Sequence, residues 1–213
     1  MNTKDQQPLE NVDEINLAGT HLLDLINDIL DVSKIESDEV KLSLGDVVLS
    51  QVMLESLQLI SPLAQKRSIK IITKIHGKRV TSYNSVPDVI FRADAVHFKQ
   101  VLLNLLSNAV KYNHDNGTIT INCEESFDKQ LLRISITDTG KGLSQQQQAK
   151  LFTPFERLDA EITNIEGTGI GLLITKKLIK EMNGKIGIDS IVNEGSTFWI
   201  ELPYNKEQMN TQG

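Results

Sequence analysis

The chain has 213 residues, 39% of them hydrophobic and 5% aromatic, with 22 Lys+Arg against 28 Asp+Glu for a formal charge of −6. That length supports one sizeable core with room for an appendage, and the acidic balance without a dense Lys/Arg cluster excludes a surface built to neutralise nucleic-acid phosphates. Cys123 is the only cysteine, which rules out an internal disulfide and any cysteine-cluster zinc site and points to a reducing compartment.

The first segment, residues 8–36, sets Ile15, Ala18, Leu22, Leu25, Ile29 and Val32 at alternating three- and four-residue spacing, with Leu23, Ile26 and Leu30 widening the stripe. This is the pattern of a helix seam. So broad a stripe needs a partner helix, and the expectation is a homodimer through this helix. The pattern changes near Ser37–Asp38, dividing the chain into a helical segment 1–38, a folded domain 39–204 and a polar, disordered tail 205–213. Within the domain the spacing predicts a strand over 40–44, a helix over 47–64 and a strand over 69–75. A core helix over 94–112, capped by Asp94, follows, then a hairpin of 117–124 with 130–137. A loop-rich stretch from Asp138 to Gly169 is too long for an ordinary connection and is read as functional. A helix over 170–182 and strands over 185–192 and 196–202 close the domain. No window approaches ~18 uninterrupted apolar residues, and Met1–Glu10 lacks a signal pattern. A cytoplasmic chain without direct membrane insertion is expected, as a piece on its own or as the cytoplasmic part of a longer, membrane-bound parent.

Three clusters carry chemistry. On the core helix Asn104, Asn108 and Lys111 recur at i, i+4 and i+7 with Tyr112 beyond them, forming one polar stripe. The stripe is either a solvent edge or a set of ligands, because a carboxamide oxygen suits a Mg²⁺ that also holds phosphates and a Lys one turn away meets the same phosphates. Next, Asp138-Thr-Gly-Lys-Gly142 ends a β-branched strand on an Asp followed by two glycines. Such an Asp is commonly a turn former; its alternative role is to accept a hydrogen bond from an exocyclic amine while the glycines bend the backbone beneath a base. Third, Gly167-Thr-Gly-Ile-Gly171 opens a helix, where glycines free N–H groups to surround phosphate. Position 172 is Leu where a dinucleotide fingerprint needs Gly, and no Gly-x-x-x-x-Gly-Lys-[Ser/Thr] string exists.

The order of these motifs resembles the ATP-binding catalytic domain of sensor histidine kinases, in the ATPase superfamily shared with DNA gyrase. An asparagine box is visible in Gln100-Val-Leu-Leu-Asn-Leu-Leu-Ser-Asn-Ala-Val-Lys-Tyr112, a first glycine box in Asp138–Gly142, a phenylalanine box in Leu151-Phe-Thr-Pro-Phe-Glu-Arg157 and a second glycine box in Gly167–Gly171. Gly195-Ser-Thr-Phe198 continues the likeness, and residues 18–36 look like the second helix of the family's dimerisation and phosphotransfer hairpin. The resemblance implies a protein histidine kinase that uses ATP and Mg²⁺, with an α/β two-layer sandwich of a mixed sheet on helices, a mobile ATP lid near 159–168 and one long helix in front. It also implies a response regulator receiver domain as the partner of the parent protein.

Carried over by residue, Asn108 is the Mg²⁺ ligand and Asn104 supports metal and phosphates, Lys111 contacts phosphate, and Tyr112 packs on the nucleoside. Asp138 reads the adenine amino group, Gly140 and Gly142 shape the base pocket, and Thr197 completes the adenine contacts through water. Phe152 and Phe155 anchor the lid, Arg157 reaches the γ-phosphate, and Gly167, Thr168, Gly169 and Gly171 form the lid hinge. In gyrase-like relatives a glutamate that activates water stands where this chain has Asn104. An amide takes no proton, so transfer to a protein is expected over rapid hydrolysis.

The sequence departs from the family pattern in one respect: it holds no His-Glu-x-x-[Arg/Thr]-Pro string. The phosphate-accepting histidine is therefore expected outside this chain. His21 is read as a flank of the helix seam, and His76, His97 and His114 lack metal-ligand spacing. The alternative is a catalytically silent nucleotide-binding regulatory module.

Overall fold

The computed structural model describes residues 42–80, 89–126, 130–153 and 169–204. The seam helix over 8–36, the boundary at 37–38, the lid and the tail lie outside the described residues. In chain order the elements are β1 (Gly45–Val48), α1 (Leu49–Lys66), β2 (Lys70–Ile75), β3 (Lys78–Val80), β4 (Ile90–Ala93), α2 (Ala95–Lys111), β5 (Thr118–Ser126), β6 (Leu131–Asp138), α3 (Gln145–Lys150), α4 (Gly171–Glu181), β7 (Lys185–Ile191) and β8 (Gly195–Pro203).

Six strands form one mixed sheet in the order β3-β2-β5-β6-β8-β7. Only the β2–β5 pair is parallel; the others are antiparallel. Alternation along β5, β6 and β8 sends Ile119, Ile121, Cys123, Leu132, Ile134, Ile136, Phe198, Ile200 and Leu202 to one buried face. Helices α1, α2 and α4 cover that face side by side, α2 in the middle against both neighbours. The opposite face is polar: Arg133 stacks over the Trp199 ring at 4.3 Å and pairs with Glu201 at 3.1 Å. Gly187 lies under that indole, which leaves no room for a Cβ. The result is a two-layer sandwich with a one-sided core. Cys123 sits inside it, its thiol pushed up to about 12 by burial and by the charges of Glu124 and Glu125, so it is an inert packing residue.

Three expectations are corrected. Residues 42–44 form no strand; the strand begins at Gly45 and pairs antiparallel with β4, Val47 opposite Phe91. Because Val47 and Val48 stay extended in that ribbon, α1 starts at Leu49 rather than at 47. The ribbon is fixed to the helix layer by Phe91, which meets Phe98 of α2 edge-on at 4.9 Å. The loop-rich stretch also contains a helix, α3, entered through a capping box in which Ser144 accepts from Gln147 N and the Gln147 side chain returns to Ser144 N.

Candidate functional site

The site is built on α2, whose N-terminus is anchored by Asp94. Its Oδ1 accepts from Val96 N and His97 N at 3.1 and 3.0 Å, and its Oδ2 from Ser43 N at 2.8 Å. Burial drives this carboxyl up, but the amides of His97 and Ser43 together with the His97 ring outweigh it and hold Asp94 below its ordinary range. One side chain thus caps the helix and fastens the chain entering the domain to it.

Further along α2 the two asparagines are in different situations. Asn104 donates from Nδ2 to the buried Thr175 hydroxyl of α4 at 2.7 Å. Its Oδ1 lies where a Cβ on Gly171 would come within 2.4 Å, so Gly171 is needed for the approach of α4 to this amide. One turn on, Asn108 is half-buried and its carboxamide has no hydrogen-bond partner among the described residues. Tyr112, 41% exposed, ends the helix, and the ammonium groups of Lys111 and Lys141 stand 5.9 and 5.6 Å from its ring. Burial pushes the Lys141 ammonium down from its usual value.

Asp138, the last residue of β6, shares the buried, helix-facing side of the sheet. Its Oδ1 accepts from Gly140 N at 2.8 Å. Burial raises its carboxyl above the ordinary range, against the opposing pull of the Gly140, Ser196 and Asp138 amides. A Cβ on Gly140 would strike Tyr112 O at 2.2 Å, so the turn after Asp138 rests directly on the end of α2. Gly142 has φ +63 and faces Ile191 O, where a Cβ would come within 1.9 Å. The β7–β8 hairpin is joined to this turn by Asn193 N donating to Lys141 O at 2.7 Å and Leu143 N donating to Ser190 Oγ at 2.8 Å. Gln148 of α3 donates to both Leu143 O and Ser190 O.

The structure does not bring Thr197 to Asp138. Thr197 pairs with Thr137 and shares a 2.9 Å hydroxyl contact with it on the outer face of the sheet. The residue opposite Asp138 is Ser196, on the same side and bonded to Ser190 Oγ at 2.9 Å. Strand parity accounts for this, since 196 alternates with Phe198, Ile200 and Leu202 on the buried side.

Phe152 packs against the core with the Lys176 ammonium 4.9 Å from its ring. Gly169 has φ +76, and α4 begins just after it without a side-chain cap and without an acidic residue in its first turn. Phe155, Arg157, Gly167 and Thr168 lie outside the described residues. Among the described residues no group of three His, Cys, Asp or Glu gathers to hold a metal. The Asn108 amide, with neither a hydrogen-bond partner nor a carboxylate cage among the described residues, suits a divalent cation that brings most of its oxygens from a polyphosphate. The glycines at 140, 142 and 171 let Tyr112 O, Ile191 O and the Asn104 amide come close to the backbone, which holds these turns against α2 and the β7–β8 hairpin.

Residues 93–206 match the family described as histidine kinase-, DNA gyrase B- and HSP90-like ATPase. The chain belongs to that family. The chain is 37% identical over 195 residues to the circadian input-output histidine kinase CikA of Synechococcus elongatus, covering 91% of this chain and 25% of that protein. It is 38% identical over 198 residues to the sensor histidine kinase GacS of Pseudomonas protegens, covering 91% and 21%. The chain therefore spans a quarter or less of these curated relatives. Among solved structures it is similar to full-length ShkA in complex with AMPPNP, with a TM-score of 0.76 and 29% identity over 96% of this chain and 40% of that one. The ATPase domain is of the sensor histidine kinase kind, the ATP-binding catalytic domain. No helix among the described residues is long and apolar enough to cross a membrane.

Proposed function

We propose that the chain binds Mg-ATP and directs the γ-phosphate to a histidine outside its own sequence. The observation that carries this reading is the seating of the Asp138–Gly140 turn on the Tyr112 carbonyl, which sets a base-reading carboxylate beside the helix end that bears Asn108, Lys111 and Tyr112. Asp138 accepts from the adenine amino group, Gly140 and Gly142 floor the base pocket, Tyr112 packs on the nucleoside, and Lys111 pairs with phosphate. Asn108 is the metal ligand, and Asn104, braced by Thr175, supports it. Magnesium held by Asn108 would supply charge neutralisation to the phosphates. On the same reading Phe152 and Phe155 anchor the segment over the nucleotide, Arg157 reaches the γ-phosphate, and Gly167, Thr168, Gly169 and Gly171 give it its hinge.

The amide of Asn104 takes no proton from water, which favours transfer to a protein over hydrolysis. Residues 1–38 then form the dimerising half of a phosphotransfer hairpin ahead of a catalytic domain over 39–204, residues 205–213 are a tail, and the parent protein works on a receiver domain in the cytoplasm. Calorimetry of the full chain tests the reading: Mg-ATP binds and Mg-GTP does not, because guanine offers Asp138 an oxygen where adenine offers an amine. Adding a separate helix that carries a His-Glu-x-x-[Arg/Thr]-Pro string brings acid-labile label from ATP onto that helix. Binding without any transfer would instead favour a silent regulatory module.

A further inference from the structure

Arg67, the residue that ends α1, lies far in sequence from every motif above, yet its side chain is devoted to the C-terminus of α2. Its Nη1 donates to Val110 O at 2.6 Å and Lys111 O at 3.2 Å, and its Nη2 donates to Asn113 O at 2.7 Å. Nε donates to Asp115 Oδ1 at 2.8 Å, and the Arg67 carbonyl accepts from Asn116 N at 3.0 Å. The guanidinium therefore gathers carbonyls that the end of the helix leaves without intrahelical partners.

Of these residues Lys111 is a site candidate, and Lys111 and Asn113 flank Tyr112. Tyr112 O and Asn113 Cα are the atoms against which Gly140 is seated. Asn113, itself buried, accepts from Thr139 Oγ1 at 3.2 Å and donates to Thr118 O at 3.2 Å. A path of direct contacts runs from Arg67 through Asn113 to the turn that carries Asp138. There is also an electrostatic consequence. A helix C-terminus carries roughly half a negative charge, and Asn108 and Lys111, where the proposed site holds a polyphosphate, stand in the last turn of α2. The Arg67 guanidinium on the last carbonyls offsets part of that repulsion, its charge being shared with the exposed Asp115.

We propose that Arg67 is a positioning residue of the nucleotide site: it holds the end of α2 in register with the Asp138–Gly140 turn and offsets part of the negative helix end near the phosphates. The inference rests on the nucleotide reading given above. Its test is calorimetry of adenosine, Mg-ADP and Mg-ATP on the full chain and on Arg67→Ala, Arg67→Gln and Arg67→Lys. Wild type must bind Mg-ATP; if it does not, the site reading falls and this proposal falls with it. Given wild-type binding, Arg67→Gln and Arg67→Ala weaken Mg-ATP by about tenfold, with the loss growing from adenosine to ADP to ATP. Arg67→Lys, which keeps the charge without the fork, recovers the phosphate-dependent part. A lowered melting temperature with unchanged affinities, or an equal loss for adenosine and Mg-ATP in the Gln variant, overturns the proposal. Because Gln keeps donors for the carbonyls, that arm decides even if the Ala variant does not fold.

Discussion

The carboxamide of Asn104 is bonded at 2.7 Å to the hydroxyl of Thr175, a residue 71 positions later and 1% exposed. This contact ties the middle of α2 to the second turn of α4, and Gly171, one turn earlier on α4, supplies the space in which the amide sits. Thr175→Val leaves Asn104 with a freed donor in a half-buried position, at a cost of about 1 kcal/mol in stability. The larger effect is expected in phosphoryl transfer, since the amide loses the orientation it holds against the phosphates, while ADP affinity changes little. Single-turnover labelling of the added acceptor helix alongside calorimetry checks this. A parallel loss of ADP affinity would make the contact a purely structural brace.

Asp138 provides a cleaner separation of stability from binding. Burial raises its carboxyl in the folded chain, so the native state holds its proton more tightly than the unfolded state does. The resulting penalty on the ionised form is absent at low pH, develops as pH rises through the raised folded value, and persists at neutrality. Asp138→Asn keeps an oxygen for Gly140 N and carries no charge. The variant without nucleotide should melt at or above wild type at neutral pH, and that advantage should shrink as pH falls below the ordinary carboxylate range. Its second atom now donates toward the adenine amine, so ATP affinity should drop by roughly 10- to 150-fold, the loss of about 1.5–3 kcal/mol from a charge-assisted hydrogen bond. Thermal melts across pH and ATP titrations read the two effects separately.

The parts of this fold legible in the sequence are those whose local pattern matches their surroundings. Alternation in Ile119, Ile121 and Cys123, and again in Leu132, Ile134 and Ile136, is the alternation of a sheet buried on one face. Asp94 read as a cap is a cap. The β1–β4 ribbon was not legible because each strand has four residues and their pairing spans more than forty residues of chain. The short α3 did carry its signal in Ser144 and Gln147, obscured by a run of glutamines that favours no face. Arg67 was beyond reach, since its partners lie 43 to 48 residues away and an isolated Arg after a helix carries no mark of what it will meet. In the site, the candidates on α2 and at the end of β6 were singled out from residue chemistry, while which of Ser196 and Thr197 stands opposite Asp138 is one step of strand parity that the motif alone does not give.

That step yields a paired prediction. Ser196 stands opposite Asp138 on the buried side, and Thr197 faces outward toward Thr137. Ser196→Ala removes a hydroxyl beside the base-reading carboxylate and from the Ser190 bond, and it should weaken ATP by about 3- to 10-fold, the loss of one neutral hydrogen bond. Thr197→Val, on the outer face, should leave ATP binding unchanged. The reverse order in fluorescence-competition titrations would mean that the base reaches the opposite side of the sheet.

The last prediction concerns Asn108, whose carboxamide is half-buried and without a partner among the described residues. A polar group held in that state in the resting protein costs little while water reaches it, and it gains most from a ligand that needs a neutral oxygen. Asn108→Ala should therefore affect the metal-linked part of binding. In excess magnesium ATP affinity should fall by about tenfold or more, as expected for removing a charge-assisted contact, whereas with the metal chelated the variant and wild type should bind ATP alike. Adenosine, which brings no phosphates, should not distinguish them. Because Asn108 shares no hydrogen bond with the core, the melting temperature should stay near that of wild type, so a loss of binding cannot be attributed to unfolding. An equal loss with and without magnesium would assign Asn108 to the phosphates directly and leave the metal to be held elsewhere.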